Sequence, residues 1–424
     1  MKIVADLHIH SPYSRAVSKN MTLQNLDYFA RLKGINVMGT GDFTHPMWID
    51  EIQEKLEPAE AGLYILKDEY LYPESKGEKT RFMLTVEISS IYSKGGRARR
   101  IHNLIFTPTI EAALKINAEL GWRGNIKSDG RPILGMDPKE IAKIIFNIEP
   151  RSAIIPAHAW TPWFSIFGSM SGFDSIEECF DEFAPQIFAI ETGLSSDPAM
   201  NWRLSKLDNI ALISNSDSHS LKKIGREANV FDTQLSYDGI IEAIKSHDPK
   251  KFLFTVEFFP EEGKYHYDGH RVCKYSCDPD KTNDHNNLCP RCGKKMTIGV
   301  LNRVRQLADR ESGFASKNAI PFKNLIPLDE IIADVIGVGT ASKKVNAEYM
   351  NLINKIGTEF SALLEASESE LASASSPRIA SAITMVREGK VRIEPGYDGE
   401  YGKIGIMPKE GSEEKQEGLF LTGL

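Results

Sequence analysis

The chain has 424 residues, of which 41% are apolar and 26% are charged, and its formal net charge is −7. This length allows two or three domains with full hydrophobic cores. The negative charge argues against a general nucleic-acid coat, although it leaves room for a local basic groove. No apolar stretch approaches the ~20 residues of a membrane span. The first strand opens the chain without a preceding signal peptide, so we expect a cytoplasmic protein with no membrane partner.

The apolar run at residues 3–5 is typical of a buried strand, and it leads directly into His8 and His10. In an extended chain, side chains two positions apart point to the same face. The two imidazoles can therefore hold one metal ion at the end of the strand.

The same arrangement, a strand-length apolar run followed by a metal-binding side chain, recurs along the chain. The later runs lead into Asp42 and His45, Glu87, His158, Glu191, and Asp217 and His219. His102 differs because it opens its run instead of closing it. Parallel strands that are buried on both faces read as continuous apolar runs. Polar groups at their carboxyl ends are typical of the active face of an α/β barrel, and we predict that this barrel ends near residue 255.

A basic stretch lies directly before His102 and contains Arg97, Arg99 and Arg100 together with two glycines. Such a loop beside a metal ligand suits a phosphate backbone, and the alternative is an ordinary solvated loop. Because the stretch is so close to His102, we favour DNA contact. Lys222 and Lys223, which follow His219, are further candidates for phosphate contact.

Residues 160–173 form a long connection after His158 that is rich in aromatic residues and glycines. Its candidate DNA-binding residues are Trp160, Trp163, Phe167 and Ser171. Exposed aromatic side chains there would stack on an extruded base or fill its place in the duplex. The alternative is a loop that buries its own aromatics as a small core. Glu191, on the same face, either orients a metal-bound histidine or is a plain strand-end acid.

Four of the five cysteines cluster in one short segment: Cys273, Cys277, Cys289 and Cys292. This pattern indicates a metal site in a reducing compartment. The Cys-Pro-x-Cys-Gly sequence of the second pair is typical of a zinc knuckle, so we predict one structural zinc ion. The first pair has three intervening residues instead of two. His270 or His285 is therefore an alternative ligand, although we favour the four cysteines.

Residues 301–400 are mostly helical in pattern, and the Gly337-Val338-Gly339 sequence suits a helix-hairpin-helix turn that binds a phosphate. A plain turn between two helices is equally consistent with this sequence. Beyond it we predict a flexible acidic tail over 401–424. Gln416, Leu419 and Phe420 in the tail faintly resemble a sliding-clamp-binding peptide.

The segments DLHIH, GTGDFTH, TVE, RRIH, PAH and SDSH resemble the motifs of the PHP (polymerase and histidinol phosphatase) superfamily of metal-dependent phosphoesterases. The resemblance spans residues 1–230 and implies a distorted (βα)7 barrel with two or three Zn, Mn or Mg ions. One implied ligand set is His8, His10, Glu87 and Asp217, and the second is Glu87, His102 and His158. A third site would use Asp42, His45 and His219, with His45 replacing the histidine that usually follows the aspartate. The implied catalytic residues are Glu87, Asp217 and His158.

With its further modules, the whole chain resembles the archaeal endonuclease Q family. That resemblance implies a barrel over 1–255, a four-cysteine zinc module over 256–300 and a helical DNA-binding domain over 301–400. It also implies hydrolysis of double- or single-stranded DNA on the 5′ side of uracil, hypoxanthine, xanthine and abasic sites. In such a site the metals would clamp the phosphate and activate water, and the damaged base would be flipped out.

Two other functions are consistent with parts of the sequence. One is a small-molecule phosphatase of the histidinol-phosphatase type, and the other is a non-catalytic DNA-binding scaffold. The zinc module and the helical region argue against the first, because a small substrate does not require them. The near-complete ligand set argues against the second.

Overall fold

The computed structural model describes residues 1–316 and 319–406. The candidate clamp-binding residues Gln416, Leu419 and Phe420, and most of the predicted acidic tail, lie outside the described residues. The beginning of that tail forms a strand. Among the described residues we find no helix with the length and apolar character needed to cross a bilayer.

The first part of the chain alternates strands and helices around a large mixed sheet, as the sequence predicted in outline. The strands are β1 (Lys2–Asp6), β2 (Val37–Gly39), β3 (Leu56–Pro58), β4 (Tyr64–Leu66), β5 (Arg81–Lys94), β6 (Arg97–Thr107), β7 (Ile133–Leu134), β8 (Ala153–Pro156), β9 (Ala189–Glu191), β10 (Ala211–Ile213), β11 (Ala228–Asp232) and β12 (Phe252–Glu257). The helices are α1 (Leu23–Lys33), α2 (Pro46–Lys55), α3 (Ile110–Arg123), α4 (Pro138–Ile148), α5 (Ile176–Phe180), α6 (Pro198–Asn201) and α7 (Tyr237–Ser246).

The central strands follow one another around a distorted ring. β1, β2 and β5 pair in parallel, whereas β6 runs antiparallel to both β5 and β8. β9 and β10 pair in parallel, and a parallel bridge between Ile9 and Ser218 links the chain after β10 back to the end of β1. The expectation that all these strands are parallel is therefore wrong for β6. The antiparallel direction also explains why His102 stands near the start of its apolar run.

Burial on both faces holds the ring together, because its central strands bury mainly apolar side chains apart from the polar groups of the site. Ile3 and Ala5 of β1 pack in one apolar cluster with Ile155 of β8. Val4 of β1 packs in the other apolar cluster. The surrounding helices are amphipathic, and α4 is one example, since it buries Ile141 and Ile145. The side chain of Asp137 accepts a hydrogen bond at its N-cap, which favours the start of this helix.

The rest of the chain consists of short strands and helices packed on the first part. The strands are β13 (Asp268–His270), β14 (Tyr275–Cys277), β15 (Phe322–Asn324), β16 (Arg392–Glu394) and β17 (Lys403–Gly405), and the helices are α8 (Pro279–Asp284), α9 (Val300–Leu307), α10 (Leu328–Ile336), α11 (Lys343–Ile356), α12 (Glu368–Ala374) and α13 (Pro377–Arg387). β15 extends the main sheet in parallel with β12. Gly337 ends α10 in the left-handed conformation, and a turn connects α10 to α11, as both interpretations of this sequence require.

Ion pairs join the helical region to the first part of the chain. The Lys33 ammonium, at the end of α1, lies 3.0 Å from the Glu359 carboxylate, and both side chains are buried. Lys222 donates a hydrogen bond to the carbonyl of Thr340, and Lys223 pairs with Glu330. These two lysines, predicted to contact phosphate, are therefore engaged within the protein.

Candidate active site

The candidate active site lies at one end of the ring, where strand ends from distant parts of the sequence converge. His8 and His10 follow β1, His158 follows β8 and Asp217 follows β10, while Glu87 and His102 lie within β5 and β6. Six of the predicted ligands form two groups: His8, His10 and Asp217, and Glu87, His102 and His158. Within each group, one ligand atom per residue lies within 4.8 Å of the others.

Glu87 connects the two groups. Its Oε1 lies 2.6 Å from Nδ1 of His102 and 3.0 Å from Nε2 of His158. Its Oε2 lies 3.4 Å from Nε2 of His10 and 3.8 Å from Nε2 of His8. A carboxylate in this position can bridge two cations, and the bridging role of Glu87 stays a prediction.

Glu191 orients His8 from behind. Its carboxylate lies 3.0 Å from His8 Nδ1 and also accepts hydrogen bonds from the His158 backbone amide and from Asn215. This contact holds the ring so that Nε2 faces the site. That Nε2 atom is buried and has no hydrogen-bond partner among the described residues. A buried nitrogen without a partner fits a metal ligand, so the residues present suit a metal ion here.

Asp42 contacts His10 in the way that Glu191 contacts His8, and its predicted role as a metal ligand stays a prediction. One carboxylate oxygen lies 3.0 Å from His10 Nδ1. The other accepts hydrogen bonds from the backbone and hydroxyl of Ser11 and from the hydroxyl of Ser14. With both oxygens engaged, Asp42 fixes the His10 ring and leaves its Nε2 facing Asp217, 3.1 Å away.

The three residues predicted for the third metal site, Asp42, His45 and His219, do not form a ligand group among the described residues. His45 belongs to neither of the two ligand groups found among residues 1–316 and 319–406, and its ring stacks on Tyr13 with a centroid distance of 4.5 Å. His219 is partly exposed and lies beside His10, with 4.7 Å between the ring centroids. His219 is therefore next to the first group, whereas His45 packs against an aromatic neighbour instead.

The two carboxylates of the site are held in the charged form that binds cations. Burial would raise the pKa of Glu87, but His102 and Arg131 outweigh it and hold that pKa well below its usual range. Burial likewise opposes ionisation of Asp217, yet His8 and His10 lower its pKa. Burial lowers the pKa of His102 to about 4, so its imidazole is neutral near pH 7, the form that binds metals.

Arg131 is a site residue that the sequence did not reveal. Its guanidinium lies 3.0 Å from Glu87 Oε2, and burial leaves 28% of the side chain exposed. Arg131 stands just before β7, a strand of two residues, and so short an element leaves no periodic pattern to find. The loop carries Asp129, whose carboxylate accepts a hydrogen bond from the Arg131 backbone amide.

A cleft of about 580 Å³ opens beside the second ligand group. Its lining includes His102, His158, Arg131, Trp163, Phe164 and Tyr265. Trp163 and Phe164 of the aromatic connection face this cleft.

Trp160 and Phe167 of the same connection are instead fully buried, with their ring centroids 4.9 Å apart, so the expectation that they are exposed is wrong. Ser171 is also buried, and its hydroxyl donates to the Arg100 carbonyl.

The basic stretch before His102 forms the end of a β-hairpin instead of a loop. Lys94 pairs with Arg97 across a turn of two glycines that both have positive φ, which explains why glycine is needed there. The Arg99 guanidinium lies 4.0 Å from the centre of the Phe173 ring and donates to the Gly172 carbonyl. Arg97 and Arg100 remain exposed, so two of the three arginines are available to a partner.

The candidate metal-binding group of the cysteine segment differs from the predicted four cysteines by a single residue. The side chains brought together are His270, Cys273, Cys289 and Cys292. Cys277 is instead buried, with its sulfur 3.3 Å from the Thr282 hydroxyl. The histidine therefore takes the position predicted for Cys277, and the spacing His270-x2-Cys273 matches Cys289-x2-Cys292. That matching spacing was the signal in the sequence for His270.

Two solved structures resemble the chain over nearly its whole length. One is the novel lesion-specific endonuclease PfuEndoQ from Pyrococcus furiosus, with 32% sequence identity, a TM-score of 0.84 and coverage of 98% of each chain. The other is endonuclease Q in complex with a 27-mer duplex substrate with an abasic lesion at the active site. It has 32% identity and a TM-score of 0.84, and the match covers 98% of this chain and 99% of that one.

Sequence relatives agree with this match. YqxK of Bacillus subtilis is 30% identical over 422 residues, which cover 95% of this chain and 99% of that protein. MJ0043 of Methanocaldococcus jannaschii is 34% identical over 312 residues, which cover 70% of this chain but only 38% of that longer protein. The family described as the MJ0043 C-terminal domain matches residues 327–390, which begin just before α10 and end after α13.

Proposed function

The chain belongs to the endonuclease Q family, and from this premise we propose that it is a metal-dependent DNA repair endonuclease. The observation that carries the proposal is the buried carboxylate Glu87 among His8, His10, His102 and His158, at the edge of a cleft with aromatic walls. We infer hydrolysis of the phosphodiester on the 5′ side of deaminated bases (uracil, hypoxanthine, xanthine) and of abasic sites. The fold we propose is the distorted (βα)7 barrel of the PHP superfamily.

Two groups of side chains would hold the metal ions. His8, His10 and Asp217 would bind one, His102 and His158 the other, and Glu87 would bridge them. Two or three ions of Zn, Mn or Mg are the cofactors we propose, with His219 beside the first group as the further ligand. When bound, such ions polarise a phosphoryl oxygen and lower the pKa of water.

The protein side chains prepare this site for a phosphate. Asp42 and Glu191 fix the rings of His10 and His8, so the ligand nitrogens face the site before any cation arrives. Arg131 has no acceptor group and remains cationic, so beside Glu87 it would attract a phosphate oxygen into the cleft. Burial excludes water from the carboxylates, which strengthens each of these charge interactions.

The cleft would receive the damaged nucleotide. Trp163 and Tyr265 stand in edge-to-face contact, with their ring centroids 5.6 Å apart, and both line the cleft. A flipped-out base can stack on such a wall, because every base has an apolar face. Flipping costs less at an abasic or mismatched position, which favours lesions over normal pairs.

The other modules would hold the DNA around the lesion. His270, Cys273, Cys289 and Cys292 would bind one structural zinc ion. The turn after α10 exposes Gly337 and Gly339, with open space around both, so a phosphate could approach its backbone. Arg97 and Arg100 at the hairpin end would contact the DNA backbone.

Cleavage assays on three substrates test the proposal. The purified protein, loaded with Mn²⁺, should nick duplexes that contain uracil or an abasic site, and it should leave the matched undamaged duplex intact. It should hydrolyse p-nitrophenyl phosphate poorly, because that ester lacks the flanking DNA. Preferential hydrolysis of p-nitrophenyl phosphate without nicking would favour the small-molecule phosphatase, and DNA binding without either activity would favour the scaffold.

A further inference from the structure

Ser89 lies in the cleft at a position that the proposed chemistry does not use. It follows Glu87 by two residues on β5, so the two side chains share a face of the strand. In the β5–β6 hairpin it stands directly opposite His102, whose ring is part of the ligand cluster. Ser89 also lines the cleft together with Arg131 and Trp163.

The Ser89 hydroxyl is buried but unpaired. Only 1% of the residue is exposed, and its Oγ has no hydrogen-bond partner among the described residues. Buried polar groups normally find partners, because an unsatisfied hydroxyl loses its bonds to water without replacement. Because Ser89 lines the cleft, a ligand bound there could form the missing hydrogen bond with its hydroxyl.

The surroundings of Ser89 indicate what kind of ligand would supply that partner. Trp163 and Tyr265 provide an aromatic wall, which suits a flat ring. The Arg131 side chain can only donate hydrogen bonds. It lies close to Ser89, because Ser89 pairs with Ile133 of β7 and Arg131 precedes Ile133 by two residues. A flat ring with a polar edge, as in a nucleobase, satisfies both the wall and the hydroxyl.

We propose that Ser89 is a specificity-determining residue that forms a hydrogen bond with the polar edge of the flipped-out base. This inference rests on the proposed endonuclease function. Deamination replaces an exocyclic amino group, which donates hydrogen bonds, with a carbonyl group, which accepts them. The Ser89 hydroxyl would donate to that carbonyl group, whereas an abasic site offers it no partner.

The test compares two lesions in one protein. An abasic site has no base for Ser89 to contact, whereas uracil does, so Ser89→Ala should harm cleavage of uracil more. We expect the ratio of kcat/KM for abasic DNA to kcat/KM for uracil DNA to rise about fivefold, as for loss of one neutral hydrogen bond. Ser89→Cys, which keeps the side-chain volume but donates weakly, should raise the ratio in the same direction.

Ser90→Ala is the matched control. Ser90 is the next residue of β5, is equally buried, and also has an unpaired Oγ among the described residues, but its side chain points to the opposite face. This substitution removes the same atom from the same strand, so it should leave the ratio unchanged.

Three results would overturn the inference. Equal loss on both substrates after Ser89→Ala would assign the hydroxyl to the phosphate or the metals. Unchanged kcat/KM on both substrates with either Ser89 variant would show that the hydroxyl does not contact the base. A similar rise in Ser90→Ala would reduce the effect to a disturbance of β5. A wild-type protein that cleaves neither lesion would be distinct from all three, because it would overturn the proposed function together with the inference.

Discussion

At the scale of single residues, the carboxylates behind the histidines determine how the site is built. The Asp42 carboxylate lies 3.0 Å from Nδ1 of His10, and the Glu191 carboxylate lies 3.0 Å from Nδ1 of His8. Both carboxylates are completely buried. Fixing Nδ1 directs Nε2 of His8 and His10 towards the centre of the site. Of the two roles considered for Glu191, this contact suits the carboxylate that orients a histidine, and Asp42 makes the same kind of contact with His10.

Glu191→Gln should weaken metal binding while leaving the fold intact. Glutamine keeps the shape of the side chain but loses the charge that holds the His8 ring, and such partners typically contribute about 10–100-fold to metal affinity. Isothermal titration with Mn²⁺ measures the change. Glu74→Gln, at an exposed position, is the control. An affinity equal to that of the wild type would show that Glu191 is a plain strand-end acid.

Single residues also show which parts of the site could be predicted from the sequence. The repeated pattern of apolar run and polar end singled out five of the six clustered residues, and the resemblance to the PHP motifs added His102, which does not fit that pattern. It could not predict that β6 is antiparallel, since periodicity carries no direction. Nor could it separate Trp163 from Trp160, because the aromatic connection has no repeat that distinguishes buried from exposed positions.

At the scale of elements, the candidate metal-binding group of the cysteine segment is formed around a turn, and the number of cysteines alone did not reveal its members. β13 and β14 form a hairpin, and Cys273 lies between them, close to His270 at the end of β13. Cys277 pairs with Asp268 across the same hairpin and packs with Cys289 and Met296 in a small apolar cluster. Four cysteines in one segment suggested a site made of cysteines alone, whereas the geometry favours one histidine and three cysteines.

Two substitutions in the full chain separate these ligand sets. His270→Ala should lose the structural zinc or hold it much more weakly, because a tetrahedral site would keep only three ligands. Cys277→Ser should retain one equivalent of that zinc. Mass spectrometry under native conditions, after removal of the weakly bound ions, gives the stoichiometry. Loss of zinc in Cys277→Ser alone would restore the four-cysteine site.

A second prediction at this scale concerns the arginines at the end of the β5–β6 hairpin. Changing Arg97 and Arg100 together to Ala should weaken binding to damaged and undamaged duplexes alike. The slope of log affinity against log salt should fall by about 0.9 for each phosphate that the protein no longer neutralises. Arg99→Ala should mainly lower thermal stability, because its guanidinium packs on Phe173. An unchanged slope in the double variant would mean that the hairpin end is only solvated.

At the scale of the whole molecule, side-chain contacts connect the first part of the chain (1–255), the cysteine segment (256–300) and the helical region (301–400). Arg303 of α9 donates hydrogen bonds to the carbonyls of Phe167 and Phe173, and the Ser169 hydroxyl donates to the carbonyl of Ile298. α9 and the residues just before it therefore pack against the aromatic connection. The buried Lys33–Glu359 pair fixes the helical region on the other side. These contacts explain why a phosphoesterase site carries modules that a small substrate would not need.

The position of the nick tests the central claim most directly. A duplex labelled at the 5′ end of the damaged strand, with one uracil at a known position, is incubated with the Mn²⁺-loaded protein and resolved on a denaturing gel. We predict a single product that ends immediately on the 5′ side of the uracil, with the base still attached to the downstream fragment. Asp217→Asn should abolish that product. Release of free uracil, a nick at another position, or full cleavage by Asp217→Asn would contradict the proposed function.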